Sequence, residues 1–255
     1  MRKVSRDKAF LQRRLSVTEN LTANRVLIII PAYNEAENIR GVILSVKKEV
    51  PHADVIVIND GSSDATSQVA KGLGVRVVDL LYNMGIGAAM QTGYIYAAVN
   101  GYDIAVQVDG DGQHPPDQIH KVISPVLEGK ADIAIGSRFL GEGDYVPSLA
   151  RSIGIKTFSR MLSLITGQKV TDPTSGFRAA NKDVIKFFAR NYPEDYPEVE
   201  AVVLLHKAGF RIMEAPVRME ARVWGKSSIT YVRALYYMVK VSLAVLIDLM
   251  KRVER

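Results

Sequence analysis

Two aspartates separated by one glycine, Asp109-Gly110-Asp111, close an apolar run at 104–108 and are followed by Gly112-Gln113-His114-Pro115-Pro116. Carboxylates at this spacing can place two hard oxygens around one divalent ion. Magnesium and manganese accept such ligands while keeping positions open for substrate phosphates, so the pattern points to a diphosphate-bearing substrate. The two prolines suit the opening of a helix just beyond the pair. Two other polar clusters have the same setting: 26–30 empties into Pro31-Ala32-Tyr33-Asn34-Glu35, and 54–58 into Asn59-Asp60-Gly61-Ser62-Ser63-Asp64. Singly, each is ordinary capping and turn chemistry. Together, each after an apolar strand-like run, they describe a site.

The elements that must position these clusters are short, continuous and rich in β-branched residues. Strands are predicted at Val26–Ile30, Asp54–Asn59, Val75–Leu80, Ile104–Val108 and Ile133–Ile135, with helices at about 36–49, 63–71, 86–99 and 116–128 between them. This alternation predicts an α/β fold, a doubly wound and mostly parallel sheet with helices on both faces. Ligands of such sheets bind beyond the carboxyl ends of the strands, where all three clusters lie. After Ser137 the rhythm changes to helical stretches around 150–166, 181–190 and 197–208, a β-like segment at 211–219, and a long helix from about 230.

A chain of 255 residues, 47% of them hydrophobic, forms one large globular domain with modest appendages. The absence of cysteine excludes disulfides, iron–sulfur clusters, zinc–cysteine sites and thiol nucleophiles. The formal charge of +6 is unevenly spread: residues 1–25 and 218–255 carry +5 each, and the middle carries −4. Two basic ends on a mildly acidic body suit an anionic membrane surface better than a continuous nucleic-acid groove. No apolar signal segment follows the charged start, which predicts a cytoplasmic protein. The apolar stretch 234–250 is interrupted by Lys240 and Asp248, short of a membrane span. Val232, Leu235, Tyr236, Val239, Leu243, Leu246, Ile247 and Met250 recur there at helical spacing, with Arg233, Lys240, Asp248 and Lys251 on another side. An amphipathic helix lying in a bilayer interface, or packed on protein, has this pattern. The chain thus divides into a basic arm at 1–24, a main domain at 25–229 and a terminal helix at 230–255.

Seven motifs, in order, carry a resemblance: PAYNEAENI at 31–39, NDGSSD at 59–64, GIGAAMQTGY at 85–94, QVDGDGQHPP at 107–116, IGSRF at 135–139, TDPTSGFRA at 171–179 and WGKSS at 224–228. Over about 26–230 the sequence resembles family 2 glycosyltransferases of the GT-A fold, in the branch of dolichyl-phosphate mannose synthases and other polyprenyl-phosphate sugar transferases. The resemblance implies that Pro31, Tyr33 and Glu35 line the base and ribose site and that Asp60 contacts the nucleoside. It implies that Asp109 and Asp111 hold Mg2+ or Mn2+ against the donor diphosphate, with Gln113 close by. Arg138 and Arg151 would face the acceptor phosphate, Arg222 would close on phosphate, and Glu200 would stand beside the acceptor; Asp111, Arg222 and Glu200 are the catalytic candidates.

The implied reaction passes a sugar, with inversion, from a nucleoside diphosphate to a polyprenyl phosphate on the cytoplasmic face of the membrane, with no nucleic acid involved. A phosphate whose second pKa lies near about 6 is largely dianionic at neutral pH, so no strong general base is required. Two departures stand out. Many relatives have Asp where Asn59 stands, and many continue into transmembrane helices, which would here belong to a separate partner protein. Rival readings are a family 2 enzyme with a saccharide acceptor, a non-catalytic membrane-surface module, and a dinucleotide-dependent oxidoreductase built on Gly85-Ile86-Gly87. Met90 in the third glycine position counts against the last.

Overall fold

The computed structural model describes residues 23–141, 149–220 and 231–251. Its strands are β1 (Val26–Ala32), β2 (Asp54–Asn59), β3 (Arg76–Asp79), β4 (Ile104–Gln107), β5 (Ile133–Ser137), β6 (Arg178–Asn181) and β7 (Ile212–Pro216). The helices are α1 (Ile39–Glu49), α2 (Thr66–Gly72), α3 (Ile86–Val99), α4 (Ile119–Leu127), α5 (Leu149–Thr166), α6 (Lys182–Asn191), α7 (Pro197–Lys207) and α8 (Tyr231–Met250). All seven strands form one sheet in the order β3-β2-β1-β4-β6-β5-β7.

Continuous apolar strands need cover on both faces, and β1 shows how it is supplied. Leu27 and Ile29 point into a core with Met90 and Tyr94 of α3 and Phe188 of α6. Val26, Ile28 and Ile30 point the other way, onto Val42 and Ile43 of α1 and Ile119 and Ile123 of α4. Period-two alternation thus feeds two cores. β1, β2, β3 and β4 are parallel, so the loops after β1, β2 and β4 leave the same sheet edge.

β6 differs from expectation. The four residues Arg-Ala-Ala-Asn lack the β-branched signature of a strand, yet they insert antiparallel between β4 and β5. The insertion reverses the chain and brings the segment 171–177 to the edge where the Asp109 loop emerges. Asn181, its last residue, then caps α6 by accepting the N–H groups of Asp183 and Val184.

The terminal helix α8 packs on α7 and α5 through a narrow seam in which Val241, Val245 and Asp248 are buried. Asp248, placed by the sequence pattern on the polar side, lies inside that seam. Val239, Leu243, Leu246, Ile247 and Met250 remain exposed on the other side.

Candidate active site

The loops after β1 and β2 are laced together before they reach any ligand. Asn34, at φ 54°, donates its N–H to Ser62 Oγ at 2.9 Å and accepts the Ser63 N–H at 2.9 Å. The Glu35 N–H donates to Thr66 Oγ1 at 2.8 Å, and the Ala36 N–H to Asp64 Oδ2 at 3.1 Å. Glu35 itself is buried and accepts Asn38 Nδ2 at 2.7 Å. Short polar side chains satisfy the backbone donors of both turns and fix one rim.

Asp60 fixes the next wall. Its two carboxylate oxygens accept the N–H groups of Met84 and Gly85 at 2.8 and 2.9 Å, which holds the segment before α3 against the end of β2. Gly61, at φ 66°, has no room for a side chain, since a Cβ there would stand 2.6 Å from the Asn83 nitrogen. Asn59 ties this rim to β3: its Oδ1 accepts the Ser62 N–H at 3.3 Å and its Nδ2 donates to Asp79 Oδ1 at 2.8 Å. Lys71 bonded to the same carboxylate holds Asp79 down to about 2. A second carboxylate at position 59 would face that anion, so asparagine suits the place.

Asp109 and Asp111 come off β4 beside β1. The Gly110 N–H donates to Pro31 O at 3.3 Å, and a Cβ on Gly110 would meet that oxygen at 3.0 Å. The Asp109 N–H donates to His114 Nδ1 at 3.0 Å, and Gln107 Nε2 donates to Asp109 Oδ1 at 3.0 Å. His114 is buried and stacked on Phe177, with ring centroids 4.9 Å apart. Its Nδ1 is therefore an acceptor for the loop, and the imidazole is a fastener. Asp111 Oδ1 accepts the Gln113 N–H at 3.0 Å.

Between these walls lies an open cleft of about 330 Å3 that brings together Pro31, Tyr33, Glu35, Asp60, Asp109 and Asp111. Asn83 and Ile86, which the sequence reading did not single out, line it as well. The signal was present in the Gly85-Ile86-Gly87 motif. Gly87 lies against the carbonyls of Pro193 and Glu194 and so serves helix–loop packing, whereas Gly85, at φ 92°, serves the turn that opens α3. Among the described residues no cluster of three His, Asp or Glu side chains offers a complete metal cage. The donor set is two hard carboxylates with room beside them, which fits a Mg2+ or Mn2+ ion that completes its shell with water and substrate oxygens.

Arg138 and Glu200 stand elsewhere. Arg138 is buried and grips Asp172, Nε to Oδ2 and Nη2 to Oδ1 both at 2.6 Å, with Thr174 Oγ1 at 2.8 Å from Nη2. In this structure its guanidinium anchors the 171–177 loop. Glu200 is buried where α7 meets α8, accepting the Tyr196 N–H at 3.0 Å. Burial, and then the neighbouring Asp248 carboxylate, push it up to about 7. The acidic side chain of α7 with the Asp109 charge in its neighbourhood is Glu198. Burial raises it, the Arg178 charge opposes that rise, and Asp109 is among its charged neighbours. Arg151 falls in the first turn of α5, its side chain outside the described set, and Arg222 with the WGKSS motif lies outside the described residues.

The profile of the family described as glycosyl transferase family 2 matches residues 27–188, more than half of the chain. The chain belongs to that family. This glycosyltransferase is 31% identical over 219 residues to the polyprenol monophosphomannose synthase of Mycolicibacterium smegmatis, covering 81% of each chain. It is 31% identical to the UDP-N-acetylglucosamine–dolichyl-phosphate N-acetylglucosaminyltransferase of Methanococcus voltae, over 76% of this chain and 84% of that one. Among solved structures, glucosyl-3-phosphoglycerate synthase from Mycobacterium tuberculosis, crystallised with Mn2+, UDP-glucose and phosphoglyceric acid, superposes with a TM-score of 0.73 at 20% identity. That match covers 92% of this chain and 83% of that one. The glycosyltransferase thus has the GT-A fold, with its mixed sheet.

Proposed function

We propose that this glycosyltransferase moves a sugar from a nucleoside diphosphate to a polyprenyl phosphate, with Mg2+ or Mn2+ held by Asp109 and Asp111. The observation that carries the reading is the convergence of both carboxylates with Tyr33, Glu35 and Asp60 on one open cleft. Support for the acceptor comes from the names of the two relatives, both polyprenyl- or dolichyl-phosphate sugar transferases. Metal bound to the two aspartates supplies Lewis-acid stabilisation of the departing diphosphate. In this reading Tyr33, about half exposed, covers the base at the mouth of the cleft. Pro31 and Glu35 shape the ribose pocket, and Asp60 acts by holding Met84 and Gly85 as its wall. Gln113 stays close to the diphosphate through its backbone tie to Asp111.

The acceptor side consists of Arg151 and Arg138 with the loop it anchors, and Arg222 stabilises the departing diphosphate. A dianionic phosphate attacks without a base, consistent with a His114 whose Nδ1 is already committed to the Asp109 N–H. The division into arm, catalytic domain and terminal helix belongs to the same proposal, as does a peripheral position on the inner membrane face beside a separate membrane-spanning protein. Among the described residues no helix is long and apolar enough to cross a membrane. The test offers the purified enzyme a panel of labelled nucleotide sugars with Mn2+ and a polyprenyl phosphate. Label partitioning into the organic phase is expected. Label found only in water-soluble saccharide would overturn the lipid acceptor.

A further inference from the structure

Behind Asp109 lies a layer of buried polar side chains that no step above uses. Gln107 is 2% exposed, and its Nε2 donates to Asp109 Oδ1 at 3.0 Å. Its register partner on β6 is Arg178, 1% exposed, the largest fully buried side chain among the described residues. Arg178 Nε donates to Ser175 O at 2.9 Å, and Nη2 donates to Glu198 O at 2.6 Å. One guanidinium therefore ties the 171–177 loop to the first turn of α7. Gly176, next to Ser175, presses on the pair: a Cβ there would stand 2.7 Å from Gln107 Nε2 and 3.3 Å from Asp109 Oδ2.

This packing fixes the Gln107 amide. Turned over, it would aim Oε1 at Asp109 Oδ1, two acceptors face to face, so the carboxylate dictates which end is the donor. Gln107 Oε1 and Arg178 Nη1, on cross-strand neighbours sharing a face, both lack a hydrogen-bond partner among the described residues.

We infer that Gln107, backed by Arg178, is a positioning residue that holds the Asp109 carboxylate in the orientation its metal requires. The inference rests on the reading of Asp109 and Asp111 as metal ligands. Outer partners that orient a ligating carboxylate change metal affinity by about 10–100-fold when removed. The test is a titration of Mn2+ followed by its electron paramagnetic resonance, with no sugar donor present, on wild type, Gln107→Leu, Gln107→Met and Asp111→Asn, beside urea unfolding of each.

The expected result is a fall in Mn2+ affinity of about 10–100-fold in Gln107→Leu or Gln107→Met at a near-native unfolding midpoint. Asp111→Asn should lose specific Mn2+ binding. Affinity within about twofold of wild type in a folded Gln107 variant, with Asp111→Asn deficient, would overturn the positioning role alone. Unchanged binding in Asp111→Asn would overturn the metal reading and this inference with it. Failure of both Gln107 variants to fold would assign the residue to sheet packing and likewise overturn the proposal.

Discussion

Glu198 and Glu200 are two residues apart on α7, and at about 100° per residue they point roughly 200° away from each other. Only one of them can face the cleft. The sequence offers no means of choosing, because α7 is apolar nearly all round and Val199, Ala201, Val202 and Val203 are all buried. Arg138 was hidden for a different reason: Asp172, which fixes its direction, is 34 residues away. By contrast, Asp109, Asp111 and Asp60 were legible because each directly follows an apolar strand whose end must carry the site. The buried Arg138–Asp172 pair yields a prediction at this scale. Arg138→Met strands Asp172 without its cation and should lower stability by about 3–5 kcal/mol in urea unfolding. Wild-type stability with a selective rise in the KM for acceptor would mean instead that Arg138 turns out to meet the phosphate.

Among the elements, the parallel half of the sheet could be read from its apolar runs, whereas β6 could not. A four-residue strand with two alanines carries almost no propensity, and its place is set by neighbours on both sides. The seam between α7 and α8 is a second case, since it depends on which side of α8 packs inward. There the raised Glu200 faces Asp248, with Asp195 and Lys251 as further charged neighbours and Lys251 Nζ 2.8 Å from Asp248 Oδ1. Asp248 Oδ2 is buried without a hydrogen-bond partner, a place that a proton carried by Glu200 fills. The sign follows from linkage. Folded Glu200 keeps its proton to about 7, whereas the unfolded chain releases it near 4.5. The stabilisation is therefore complete below about 4.5 and disappears as pH rises through 7. Glu200→Gln keeps a donor at every pH. Hydrogen exchange in α8 should accelerate from pH 5.5 to 8.5 more in wild type than in the variant, after correction for intrinsic rates. Parallel profiles would refute the shared proton.

At the scale of the molecule, charge and apolar exposure fall on the same parts of the chain. Both ends are basic, and α8 leaves Val239, Leu243, Leu246, Ile247 and Met250 in the open. Intact protein should float with anionic liposomes, and salt should weaken this only in part, because screening acts on the charges and leaves apolar burial untouched. Removal of 230–255 should abolish flotation and slow transfer to a long-chain polyprenyl phosphate, yet spare slow hydrolysis of the nucleotide sugar. Equal flotation of the shortened protein would rule out α8 as the anchor.

The two ends of α7 give the seam a mechanical meaning. At one end Arg178 holds the carbonyl of Glu198 beside the Asp109 loop. At the other, Lys207 Nζ donates to the carbonyls of Asp248, Leu249 and Lys251, gripping the last turn of α8. A rod pinned at both ends passes displacement along and cannot absorb it. The nine helical rises from Glu198 to Lys207 span about 14 Å, so the tie beside the Asp109 loop and the grip on the end of α8 stand a fixed length apart. Lengthening α7 by one turn would add about 5.4 Å between them, and one of the two grips would have to let go.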